Sequence, residues 1–209
     1  DGRIWDFTQR GEGLRETIDL RGRAGMGMGN VHWSGNFDEV QDFILDIVNE
    51  FGGAGFLNEG ETPHPSLGTA NGGRNSDLDD LALYVSSLAE NSLPQSPYRD
   101  SSDGSFTAEA VNGANIFQAQ NCASCHDPSN GYTDSIVGTT PVLHNVGTLR
   151  TASGERLGQG PGSLSGIDTP TLLGIWQTAP YLHDGSAKTL DEVFEIAGGE
   201  TYEAESFNT

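Results

Sequence analysis

Cysteine is nearly absent from this 209-residue chain, which has two. A framework of several disulfides, the usual staple of small loop-rich secreted folds, is therefore excluded. Basic residues are scarce as well: 10 Lys and Arg stand against 30 Asp and Glu, giving a formal net charge of −20. Non-specific nucleic-acid binding needs Lys and Arg against phosphate, so nucleic acid is excluded as a partner. Anionic membrane surfaces are disfavoured for the same reason. No apolar run approaches the roughly 18 residues of a spanning helix, so no membrane span is expected. No convincing strand alternation is visible. Hydrophobic residues reach only 34%, against 29 Gly. That balance describes a folded but loop-rich chain, in which a large prosthetic group could supply apolar bulk that side chains do not. No secretory leader is visible, and the opening "DGRIWDF" reads as a mature or truncated segment.

The charge that is present is unevenly placed. The acidic excess serves as a solvated surface, as adaptation to salt or as a docking face for a cationic partner. Five of the ten basic residues are Arg3, Arg10, Arg15, Arg21 and Arg23. Such a cluster suits a local anion, for instance cofactor carboxylates, or ordinary salt bridges.

Four helices can be argued. The first runs through "NFDEVQDFILDIVNEFGG", with Asn36 as N-cap, Glu39 closing a capping box and a stripe of Val40, Phe43, Ile44, Ile47, Val48 and Phe51. The second starts at Ser76 with Asp79 at N3, its Leu78, Leu81, Val85 and Leu88 facing inward. The third starts near Thr107 and leads into the cysteines. The fourth is capped by Thr189 and Glu192 and stopped by Gly198. The Pro-, Ser- and Asp-rich stretch around 93–104 reads as a linker. A faint repeat pairs "VHWSGNFDEVQDF" with "YLHDGSAKTLDEVFEI", each a His, a Gly and then a helix containing D-E-V.

The two thiols sit in "NCASCHDP" as Cys122-Ala-Ser-Cys125-His126. A disulfide across so small a loop stabilises little. A structural zinc site wants a second ligand pair, and His32, His64, His144 and His183 are isolated in sequence. A redox dithiol expects a βαβ context, which is missing. Covalent haem c remains: Cys122 and Cys125 take the vinyl groups and His126 reaches the iron as proximal ligand. The sixth position is open between Met26, Met28, His144, His183 and Tyr202. Methionine raises the potential, histidine lowers it, and an empty or tyrosine-ligated site permits substrate chemistry.

The run "DTPTLLGIWQTAPYLHDGSAKTLDEVF", from Asp168 to Phe194, resembles the signature of the bacterial dihaem cytochrome c peroxidase family, which includes the maturation enzyme of methylamine dehydrogenase. "LHNVGT" resembles the stretch that follows the second haem motif there. "RGEGLRETIDLRGRAGMGMGNVHWSGNFDEVQDF" is similar, more weakly, to the first haem domain, whose own motif would lie upstream of Asp1. The resemblance implies that Trp33 relays electrons between haems; a buried core tryptophan is the alternative. It implies a calcium ion held by main-chain oxygens at Thr178 and Pro180, or else a bare loop. It also exposes departures. Ala197 stands where peroxidases of the family carry an axial methionine, and the maturation enzyme uses a tyrosine in a region broadly like that of Tyr202. Phe43 stands near a catalytic Gln, and Glu50 is the candidate acid for moving a peroxide proton. "TYEAESFNT" resembles the opening strand of carbohydrate-binding jelly-roll modules.

The expectation is a mainly α protein with two cytochrome c-like lobes and long irregular loops around covalent haem. Residues 1–92 form a partial first lobe, 93–104 a linker, 105–200 a haem c domain and 201–209 a tail or the start of another module. At least one haem c is expected, with a second in a longer protein and calcium as a further ligand. The expected function is electron transfer to a redox partner protein, in a periplasmic or extracellular location and with neighbouring domains or subunits. Peroxide reduction and a structural electron conduit are the alternatives.

Overall fold

The computed structural model describes residues 3–138, 140–150 and 164–196. Ala197, Gly198, Tyr202 and the 201–209 segment lie outside the described residues. Helix is the main regular element: α1 (Phe43–Asn49), α2 (Ser76–Ser86), α3 (Ala108–Ala119) and α4 (Leu190–Ile196). Two small antiparallel sheets were not foreseen. One pairs β1 (Ile4–Phe7) with β2 (Gly13–Glu16), Ile4 opposite Glu16. The other pairs β3 (Leu143–His144) with β4 (Ile167–Asp168). Their sequences hide them: β2 buries Arg15 and Glu16 side by side, so the apolar–polar alternation of a half-buried strand is missing.

The chain forms two compact units. One gathers the described residues of 3–19, 143–150, 164–168 and 175–196, with Leu164, Ile167 and Ala187 buried. Here the Glu16 N–H donates to the His183 carbonyl at 2.7 Å, tying β2 to the turn around His183. The other gathers 20–142 and 169–174, with Val31, Phe37, Ile44, Leu78 and Ala82 at its core. His32 lies 4.0 Å from the Phe37 ring and meets Phe43 edge-on, while its nitrogens face Asn36 at 2.9 Å and Asp46 at 3.3 Å.

Two helix starts differ from expectation. α1 begins at Phe43, after a 3-10 turn over Val40–Asp42, and Asn36 does not cap it. The Asn36 side-chain oxygen is taken by His32 and Ser34, and the Glu39 carboxylate by the backbone N–H groups of Asn71 and Gly72. Phe51, assigned to the apolar stripe, is exposed, as is Leu81 on α2. Asn75, one residue before the expected cap, accepts from the N–H groups of Asp77 and Leu78 and starts α2. Asp79 instead accepts from the Gly73 N–H and the Gln41 amide. Both reassigned carboxylates hold the long 53–75 segment. Buried Asn71 secures it further: it accepts from the His64 N–H at 2.8 Å and donates to Asp42 at 2.9 Å. Side-chain capture of backbone groups replaces a packed core in this loop.

The faint repeat exists in the backbone. Val31 bridges Phe37 and Tyr181 bridges Ala187, each closing a seven-residue turn within its own unit. The second residue is left-handed in both (His32 φ 71°, Leu182 φ 68°), and the fifth is a left-handed glycine, Gly35 or Gly185. The Gly35 N–H donates to the His32 carbonyl as the Gly185 N–H donates to that of Leu182. The register therefore matches Trp33 with His183 and His32 with Leu182, so the two histidines of the repeat are not equivalent.

Candidate haem site

α3 is the stem of the motif. Thr107 caps it by accepting from the Ala110 N–H at 3.3 Å. Asn121 then turns left-handed at φ 58°, and Cys122–Ser124 form a 3-10 turn. The Cys122 carbonyl accepts the N–H of Cys125 at 3.3 Å and of His126 at 3.0 Å. Both cysteines are free thiols and half-buried. Asp127 continues the turn, its carboxylate accepting from the backbone and hydroxyl of Ser129. The Ser129 N–H, with its hydroxyl, holds that carboxyl below its ordinary range.

The His126 ring is oriented from behind. Its Nδ1 lies 2.9 Å from the Tyr132 carbonyl oxygen. A carbonyl only accepts, so Nδ1 carries the proton and Nε2 keeps its lone pair. A second partner that fixes tautomer and plane is what a metal-binding imidazole requires. Tyr132 is itself left-handed, at φ 62°, and its ring meets Phe117 of α3 edge-on at 6.0 Å.

The segment after the motif is locked to the turn around Trp33. Asn30 is almost fully buried; its N–H donates to the Ser135 hydroxyl at 3.1 Å and its side-chain oxygen accepts from the Gly138 N–H at 3.1 Å. Its amide donates to the Gly35 carbonyl at 2.8 Å. The Arg23 guanidinium, also buried, donates to the Asn30 carbonyl at 3.2 Å. This arginine of the N-terminal cluster binds main-chain oxygen, while Arg10 pairs with Glu12 at 2.9 Å.

The other sequence candidates fall as follows. Met28 lies with its sulfur against Gly131, where an added Cβ would come 1.9 Å from it. Met26 and Trp33 are half-buried in the same unit. His144 lies in β3 and buried His183 in the Tyr181–Ala187 turn, both in the other unit. Thr178 precedes a cis Ala179–Pro180 bond, and the Thr178 N–H and hydroxyl both reach the Ile175 carbonyl at 3.3 Å. Glu50 is exposed at the end of α1. The residues sequence reasoning missed are Tyr132, which acts through its carbonyl, and Asn30, an unremarkable asparagine in a Gly-rich run. Asp42 was missed too: burial lifts its carboxyl to about 6 despite hydrogen bonds from Asn71 and Asp38.

Residues 166–197 match the family described as RoxA-like, cytochrome c-like. Over 137 residues the chain is 28% identical to the methylamine utilization protein MauG of Methylorubrum extorquens, covering 61% of this chain and 36% of that protein. These matches make the chain similar to the dihaem cytochrome c peroxidase-like family. It spans about a third of the length of this curated relative. Its fold is similar to Kuenenia stuttgartiensis hydrazine synthase, with a TM-score of 0.59 and 22% identity over 94% of this chain and 68% of that one. It is also similar to a MauG-like protein associated with microbial copper homeostasis, with a TM-score of 0.52 and 18% identity over 86% and 57%.

A cytochrome c-like family implies covalently bound haem c. The residues of this chain fit that group. Two free thiols flank one turn, and an imidazole with a free Nε2 follows directly. α3 buries no side chain although it carries Val111, Ile116 and Phe117. Ile136, Val137 and Val142, further along, are exposed too. An exposed Val111 with half-buried Ile116 and Phe117 on the helix that leads into the motif suits the flank of a porphyrin.

Proposed function

We propose that the chain binds haem c through Cys122 and Cys125, with His126 as proximal ligand, and passes electrons to a redox partner protein. The observation that carries this reading is the His126 Nδ1 proton held by the Tyr132 carbonyl, which leaves Nε2 for iron. Cys122 and Cys125 would hold the porphyrin through two thioether links, and His126 would ligate its iron. When bound, the haem supplies one-electron exchange at its iron. The chain's part is to fix the imidazole plane, to cover the ring edge with apolar side chains and to hold Trp33 at a set position through Asn30. Relay by Trp33 and calcium at Thr178 and Pro180 complete the proposal, with the haem motif in the unit of residues 20–142 and 169–174 instead of a separate 105–200 domain. Covalent attachment takes place outside the cytoplasm, which supports a periplasmic or extracellular location. No described helix is long and apolar enough to cross a membrane. The acidic surface suits a cationic partner.

Peroxide reduction is a second reading, favoured by the family and by a buried carboxyl, Asp42, that keeps its proton to about pH 6. One preparation tests both. The pyridine haemochrome spectrum of the loaded protein is expected to show two thioether links, and Cys122→Ala or Cys125→Ala to leave one at most. Two links surviving in either variant would remove the assignment. Turnover of hydrogen peroxide with a reduced cytochrome supports the second reading, and none in a fully loaded sample leaves electron transfer.

A further inference from the structure

We propose that Thr171 is a positioning residue for the axial histidine: its hydroxyl locks the peptide that holds His126 and thereby tunes the reduction potential of the haem. This rests on the assignment of His126 above. The Tyr132 carbonyl reaches His126 Nδ1 at 2.9 Å only because Tyr132 adopts φ 62°. A bulky L residue keeps that conformation only where its surroundings impose it.

The peptide between Gly131 and Tyr132 is held at both ends. The Tyr132 N–H donates to the Asp127 carbonyl at 2.8 Å. The Gly131 carbonyl accepts from the Thr171 hydroxyl at 2.5 Å. That hydroxyl accepts in turn from the Leu173 N–H at 3.2 Å, which polarises its own O–H toward Gly131. The D-T-P-T run, prominent in the sequence without a stated task, is the arm that reaches the haem-binding loop; the Thr133 hydroxyl donates to its Thr169 carbonyl and adds a second tie. Both ties lie within one unit.

A strong Nδ1–H···O bond makes the imidazole a better donor through Nε2, and a better donor favours ferric iron. Loosening the peptide lengthens the bond and raises the potential. The hydroxyl, not the methyl, carries the effect.

The test compares spectroelectrochemical midpoints of the haem-loaded parent, Thr171→Val, Thr171→Ser and Ser92→Ala. Ser92 accepts from Gly22 and donates to Ala89, so its loss is a structural control in the same unit. The expected result is a higher midpoint and altered ferric haem-methyl proton shifts for Thr171→Val, with parent-like values for Thr171→Ser and Ser92→Ala. An unmoved midpoint in Thr171→Val overturns the proposal, as does an equal shift in Thr171→Ser or in Ser92→Ala. A further measurement needs no variant: in the parent the His126 Nδ1 proton is expected to exchange slowly, and exchange at the rate of an open imidazole overturns the proposal. A parent lacking two thioether links overturns the haem reading instead.

Discussion

At the scale of single residues, one close approach is decisive. Gly29 has φ 90°, and a Cβ there would lie 2.3 Å from the Ser135 Cβ and 2.7 Å from its carbonyl carbon. Backbone cannot swing aside as a side-chain tip can. Gly29→Ala therefore combines left-handed strain with overpacking, and a loss of about 2–3 kcal/mol is expected in chemical denaturation. The damage falls on the adjacent Asn30, whose bonds to Ser135, Gly138 and Gly35 join the segment after the haem motif to the Trp33 turn. A parent-like denaturation midpoint would show that this junction yields without cost.

At the scale of elements, helix ends are set by competition for polar side chains. Ser76 and Asp79 match a capping box by spacing, yet Asn75 caps α2 and Asp79 binds the preceding loop. Asn75→Ala leaves the N–H groups of Asp77 and Leu78 without their acceptor, at a cost of about 1 kcal/mol. Ser76→Ala is expected to be neutral or to gain a few tenths of a kcal/mol, since Ser76 is the first helical residue and Ala the better helix former. Equal losses would move the cap back to Ser76. Asn36 and Glu39 repeat the lesson on α1: spacing finds residues able to cap, and the fold decides which loop claims them. Thr107 shows where spacing suffices. It caps α3 as its spacing predicts, accepting from the Ala110 N–H.

At the scale of the whole molecule, an acidic chain buries carboxyls. Burial lifts Glu16 to about 7 and Asp42 to about 6. A raised carboxyl keeps its proton in the folded state where the unfolded chain has already released it. This stability is therefore present below about pH 4 and is lost as pH rises through the folded values. Taken at face value the two groups together would lower stability by about 5 kcal/mol between about pH 4 and pH 7; discounted for solvent screening, a fall on the order of 3 kcal/mol is expected. Glu16→Gln should flatten the upper part of that curve, measured by denaturant titration at a series of pH values. An unchanged slope would remove Glu16 as a source and leave Asp42 and the net charge of −20.

Much of the candidate site was legible in the sequence, because its chemistry is local. Cys122, Cys125 and His126 lie within five residues, α3 leads straight into them, and the run from Asp168 to Phe194 carries the family likeness. Excluding a disulfide framework and nucleic-acid binding needed only counts of cysteine and charge. What the sequence could not reveal acts through the backbone or across long separations. The Tyr132 carbonyl has no side-chain signature, and neither does the left-handed φ that aims it. Asn30, Asn71 and Thr171 become recognisable only when distant segments meet. The repeat shows the division most clearly: sequence paired His32 with His183, and the backbone turn pairs Trp33 with His183. Local chemistry is written in residue order, but register and orientation follow from hydrogen bonds that close only in the folded chain.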